Sequence, residues 1–231
     1  MTEAAWQALW LSLSVSLHSV LYALPFAIFI AWLLTRGRFT GRFALDAIVH
    51  LPLVLPPVVV GYLLLLLLGS RGPLGAWLLQ HFGVRLAFTR TGAAIATAVM
   101  AFPLMVRAIR IALEGVDRGL EEAARTLGAG AWDRFFTITL PLMAPGVLAG
   151  AITAYAAGLG EFGAVITFVG NVPGETQTLP LALYSVLQSP NSDALAARLA
   201  ALSLLLGLAG LVCAELLSRG LARRLGRSAA P

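Results

Sequence analysis

Apolar residues run through this chain in five blocks of about twenty residues or more, at 9–34, 44–68, 92–111, 138–158 and 196–217. A hydrocarbon core about 30 Å thick takes roughly 20 residues of helix to cross. The chain is therefore expected to be all-α and polytopic, with about five transmembrane helices.

Composition agrees. Of 231 residues, 59% are apolar and 12% charged, where a soluble domain carries about a quarter charged. Mean hydropathy is +0.87. A soluble enzyme, a disordered chain and a nucleic-acid binder are all excluded. The calculated isoelectric point near 10.3 comes from basic residues at the ends of the apolar blocks, where membrane topology puts them. All sixteen are Arg. A phosphate-binding P-loop requires Lys, so the chain is not expected to hydrolyse ATP. Cys213 is the one cysteine, which excludes an internal disulfide and argues against a cysteine zinc site. No cofactor or metal is expected.

The first block carries Trp10 and Trp32 near its ends, about 33 Å apart on a helix, the spacing of an aromatic belt at both interfaces. It is too long for a signal-peptide core and lacks a basic start, so it reads as an uncleaved span. The second block holds nine Val or Leu between Val58 and Leu68, favouring insertion by roughly 3 to 5 kcal/mol. Between the last two blocks, 164–169 and 178–187 are too short to cross. They read as re-entrant or interfacial pieces, and a sixth helix remains open.

Arginine placement predicts orientation. Arg36, Arg38 and Arg42 follow the first span. Arg107, Arg110, Arg118, Arg125 and Arg134 surround the loop between the third and fourth. Arg219, Arg223, Arg224 and Arg227 close the chain. With five spans these twelve share one side, against Arg71, Arg85, Arg90 and Arg198 on the other. The twelve mark the cytoplasm, with the N-terminus outside.

The loop at 112–137 differs from its surroundings. Good helix formers run from Leu113 to Leu127. Gly128 is suited to the left-handed conformation that ends a helix, and Pro141 to the first turn of the next span. Ala123 and Ala124 leave a thin surface. Trp132, Phe135 and Phe136 offer aromatic anchors of the kind found at interface hot spots. The loop reads as a knob presented to a cytoplasmic partner.

Here the chain resembles a known family. Glu122-Ala123-Ala124, then Gly128, Ile138 and Leu140-Pro141, match in residue and spacing the signature of permease subunits of bacterial ABC importers. The stretches from His50 to Tyr62, Phe102 to Arg107, Leu113 to Asp117, Gly160 to Ala164 and Pro173 to Thr176 resemble molybdate permeases, with tungstate, sulfate and thiosulfate permeases as relatives. The resemblance implies one transmembrane domain over 1–231 with the type I importer permease fold. It implies that Glu122, Ala123, Ala124, Gly128, Trp132, Ile138, Leu140 and Pro141 couple to a separate ABC ATPase. It also implies a periplasmic substrate-binding protein, a second copy of the chain and an oxyanion substrate in an inner-membrane assembly. The cytoplasmic regulatory domain of some relatives is not expected after Arg227.

Pro52, Pro56 and Pro57 interrupt the second block, and proline inside a membrane helix is tolerated where other groups satisfy the freed carbonyls. Pro56 and Pro57, together with Gly160, Glu161 and Gly163 of the family-like Gly160–Ala164 stretch, are gate or pathway candidates. Glu161 is expected to bond backbone N–H groups of its glycine-rich turn, since a free carboxylate would repel an anion. Thr153, Thr167 and Ser203 are candidate pathway hydroxyls set against simple bonding to their own helices. Gly146, Gly150, Ala154 and Gly158 form a small-residue stripe, open between a subunit interface or gate and packing inside one chain. Asp46 and His50 are spaced as a local helical pair, and His18 as a helix-to-helix hydrogen-bonder. An intramembrane enzyme would need clustered Ser/His or carboxylate groups, and the ionisable residues here are scattered. A stand-alone carrier would need no Glu-Ala-Ala loop.

Overall fold

The computed structural model describes residues 3–190 and 192–224. Helices occur in the order α1 (Glu3–Arg36), α2 (Arg42–Val54), α3 (Pro57–Leu68), α4 (Pro73–Phe82), α5 (Arg90–Glu114), α6 (Arg118–Thr126), α7 (Ala131–Arg134), a π-helical turn (Phe135–Thr139), α8 (Leu140–Leu159), α9 (Gly163–Val169), α10 (Leu179–Leu187) and α11 (Asp193–Arg224). No strand occurs among the described residues.

Among the described residues, four helical stretches are long and apolar enough to cross a membrane: Glu3–Arg36, Arg90–Glu114, Ala131–Leu159 and Asp193–Cys213. The expected second span is not one helix. It is the pair α2 and α3, bent by 118° at the break before Pro57. Leu55 and Pro56 are extended, because proline cannot donate to the ladder and disfavours helical geometry in the residue before it. Counted as one broken span, the pair makes the fifth. The short stretches at 164–169 and 178–187 form the short helices α9 and α10. Of the basic tail, Arg219, Arg223 and Arg224 fall in α11, and Arg227 lies outside the described residues.

Helix α5 is the hub. One buried cluster joins Ala27, Ala31 and Leu34 of α1, Val49 of α2, Met105, Ile109 and Leu113 of α5, and Met143 and Val147 of α8. A second joins Leu11 and Val15 of α1, Val60 and Leu64 of α3, Ala93 and Ala96 of α5, and Ala164 and Phe168 of α9. The first holds the C-terminal halves of α1 and α5, the second their N-terminal halves. These two helices therefore run parallel. The bent pair passes from the first cluster at α2 to the second at α3, so it traverses the bundle despite its bend.

The stripe on α8 packs against α5 of the same chain. A methyl group on Gly146 would collide with the Ala112 side chain, and one on Gly150 would lie 3.0 Å from the Ala108 Cβ. One on Gly158 would lie 2.8 Å from the Thr97 methyl. The small residues thus bring two backbones of one subunit together, as membrane packing favours.

Candidate functional site

The signature loop stands at the end of the bundle that holds Leu34 and Leu113. Gly115 ends α5. Asp117 then caps α6, its Oδ1 accepting from the Gly119 N–H at 2.8 Å, which satisfies one of the unpaired donors of a helix start. Helix α5 thus ends before the loop helix begins, where sequence suggested one helix from Leu113 to Leu127. Helix α6 has no buried residue. Gly128 takes φ +91°, a conformation costly for a side chain with Cβ, and turns the chain into α7.

Glu122, Ala123, Gly128 and Trp132 are exposed, and Ala124 is half-buried. Leu127 is 88% and Trp132 76% exposed. Trp132 stacks on Phe136, with centroids 6.1 Å apart. Ile138 and Leu140 lie partly inside, against the bundle, and Pro141 is exposed. Pro141 lies in the first turn of α8, as expected. It follows the π-helical turn, in which the Leu140 N–H reaches back to the Phe135 carbonyl. That widened turn accommodates a residue lacking an N–H and keeps 131–159 one continuous apolar stretch.

Glu121, next to the signature, faces the other way. Its Oε1 accepts from the Thr139 hydroxyl at 2.7 Å and from Arg36 Nη2 at 3.4 Å. Arg36 Nη2 also lies 3.4 Å from the carbonyls of Leu113 and Val116 at the end of α5. In sequence Arg36 reads only as a topology marker, and nothing local points from it to Glu121, 85 positions away.

The gate candidates come together elsewhere. The break between α2 and α3 lies against the break between α8 and α9. A Cβ on Gly163 would sit 2.7 Å from the Pro57 Cβ, and one on Gly61 would sit 2.6 Å from the Ala164 carbonyl. Glu161 Oε1 accepts from the Ala164 N–H at 2.9 Å, closing the turn in the expected manner. Pro56, Pro57 and Gly160 are exposed, Glu161 is half-buried and Gly163 is buried.

The other polar residues bond mainly within their own helices. His18 bonds the Ser14 carbonyl of its own helix through Nδ1 at 2.7 Å, rather than another helix. Asp46 does meet His50, at 3.4 Å, but its shorter contact is with Arg110 Nη1 of α5 at 2.6 Å. Thr153, Thr167 and Ser203 each donate to a carbonyl one turn back in their own helix. Among the described residues no group of His, Cys, Asp and Glu is arranged to hold a metal.

The molybdenum transport system permease protein ModB of Escherichia coli (strain K12) is 57% identical over 227 residues, 98% of this chain and 99% of that protein. ModB of Haemophilus influenzae is 54% identical over 205 residues, 89% of this chain and 90% of that protein. The sulfate transport system permease protein CysT of E. coli K12 is 40% identical over 184 residues, 78% of this chain and 66% of that protein. A chain from the crystal structure of a bacterial ABC transporter that imports the acidic polysaccharide alginate superposes with a TM-score of 0.74 at 22% identity, covering 95% of this chain and 80% of that one. It shares the fold. Residues 23–225 match the family described as the inner membrane component of binding-protein-dependent transport systems, and the chain belongs to that family.

Proposed function

We propose that this chain is the inner-membrane permease subunit of an ATP-driven molybdate importer. It is a non-catalytic subunit, so the energy comes from a separate ATPase. The observation that carries this reading is the near full-length likeness to a molybdenum permease, joined to a signature loop that stands outside the bundle. The exposed face formed by Glu122, Ala123, Gly128, Leu127 and Trp132 suits docking into a partner cleft, with Trp132 as the buried anchor. Movement of that partner reaches the membrane directly, because α7 runs through the π-helical turn into α8.

The proposed working unit has two copies of this chain, two ATPases and a periplasmic binding protein that delivers the oxyanion. The paired breaks at Pro56, Pro57, Gly160, Glu161 and Gly163 form the gate. Backbone interrupted within a membrane protein belongs beside a cavity or buried in protein. Two breaks in contact let α3 and α9 shift against α2 and α8 without undoing a continuous hydrogen-bond ladder. The loop and the chain's C-terminus face the cytoplasm, and the N-terminus faces the periplasm.

The test is uptake in cells lacking their own molybdate permease, supplied with this chain, its ATPase and its binding protein. Molybdate uptake should require all three and survive an excess of sulfate. A cysteine at Trp132 should cross-link to the ATPase. Uptake of sulfate in preference to molybdate would transfer the assignment to a sulfate permease. Uptake without the ATPase would refute the importer mechanism.

A further inference from the structure

Contact on α7 passes straight into α8, but contact on α6 does not. Helix α6 is separated from α7 by the Leu127–Gly130 turn, whose Gly128 is at φ +91°. Leu120, Glu122, Ala123 and Arg125 of α6 are exposed. If α6 were free to pivot at this turn, a push on its outer face would be spent on bending the loop. The Glu121 carboxylate opposes such bending. It accepts from Thr139 in the π-helical turn and from Arg36 at the end of α1, and Arg36 reaches the last carbonyls of α5. The Arg36 and Glu121 side chains are only 13% and 23% exposed, and Thr139 is 3% exposed. The Thr139 bond, at 2.7 Å, is short and shielded, and Arg36 adds a longer attraction at 3.4 Å.

We propose that Glu121 is a positioning residue for energy coupling. Held between Arg36 and Thr139, it locks α6 to the ends of α1, α5 and α8. A displacement of the docked loop then moves three membrane helices together instead of flexing the turn. This deepens, and rests on, the reading of 112–137 as the ATPase-coupling loop. Glu121 differs in role from its neighbour Glu122: one faces the bundle and the other the partner.

The experiment uses the complete transporter in proteoliposomes with molybdate-loaded binding protein, and measures molybdate moved per ATP hydrolysed. Glu121→Ala and Thr139→Val should each lower that ratio by about tenfold, the scale of one charge-assisted hydrogen bond, with the ATPase still co-purifying. Thr139→Ser keeps the hydroxyl and should restore the ratio. Combining Glu121→Ala with Thr139→Val should cost no more than Glu121→Ala alone, since that change already removes the Thr139 bond. A wild-type ratio in Glu121→Ala would overturn the proposal while leaving the coupling loop in place. Loss of ATPase co-purification in both single variants would overturn it too, by making the contact one of assembly. If the wild-type complex itself moved molybdate without ATP, the coupling reading would fail first.

Discussion

Glu161 illustrates how a single residue is restrained in a greasy environment. A carboxylate placed between two membrane helices is costly unless its oxygens are bonded. Here one oxygen closes the turn by accepting from the Ala164 N–H. Glu161→Gln keeps an acceptor at that position, so the complex should assemble while uptake falls. Glu161→Leu leaves the Ala164 N–H unpaired and should cost about 1 to 3 kcal/mol of stability, read as a lower thermal midpoint in detergent. Equal midpoints for the Leu variant and the wild type would show that this bond does not hold the turn. The hydroxyls of Thr153, Thr167 and Ser203 are engaged by their own helices. Their environment offers no comparable argument for contact with a dianion.

Elements meet in this protein through close approach more than through charge. Helices α5 and α8 touch where Gly146 faces Ala112 and Gly150 faces Ala108. Gly146→Ala should therefore overpack the contact, lowering stability by about 1 to 3 kcal/mol. Adding Ala112→Gly should restore most of it by removing the opposing methyl. Thermal unfolding of the purified subunit checks both, and failure of the second change to rescue would place the pressure elsewhere. The ion pair between Asp46 and Arg110 joins α2 to α5, but its side chains are 40% and 23% exposed. A solvent-screened pair of that kind contributes at most about 1 kcal/mol. The signature residues were legible in sequence because their spacing follows one local loop. The direction each faces was less so. Glu121 and Glu122 are adjacent acids of the same type, and only the packing of α6 against Arg36 and Thr139 separates them.

Across the whole molecule, the arginine distribution sets the expected sidedness. A reporter protein fused after the last helix should be active in the cytoplasm, and one fused before Glu3 active in the periplasm. The opposite pattern would put the signature loop outside the cell and end the importer reading. Much apolar surface remains uncovered on the single chain. Trp10 is 66% exposed and Phe26 67% on α1, as are Leu204 at 64% and Leu211 at 66% on α11. Surface of this kind suits lipid or a second copy of the chain, and it explains why a soluble monomer is excluded.

What the sequence determined by itself was the class of solution. Apolar runs of about twenty residues have no water to bond their backbones, so they form helices that cross. Prolines and glycines marked where those helices break, and the spacing from Glu122 to Pro141 marked the loop. Tertiary structure decided which faces meet. The Pro57 break rests on Gly163, Asp46 reaches Arg110, Arg36 reaches Glu121, and the small stripe of α8 turns toward α5 of its own chain. The physical reason is rotational. A helix that is apolar on every side carries no periodic signal of its inward face, so its orientation is settled only when neighbouring shapes and a few polar atoms lock against it.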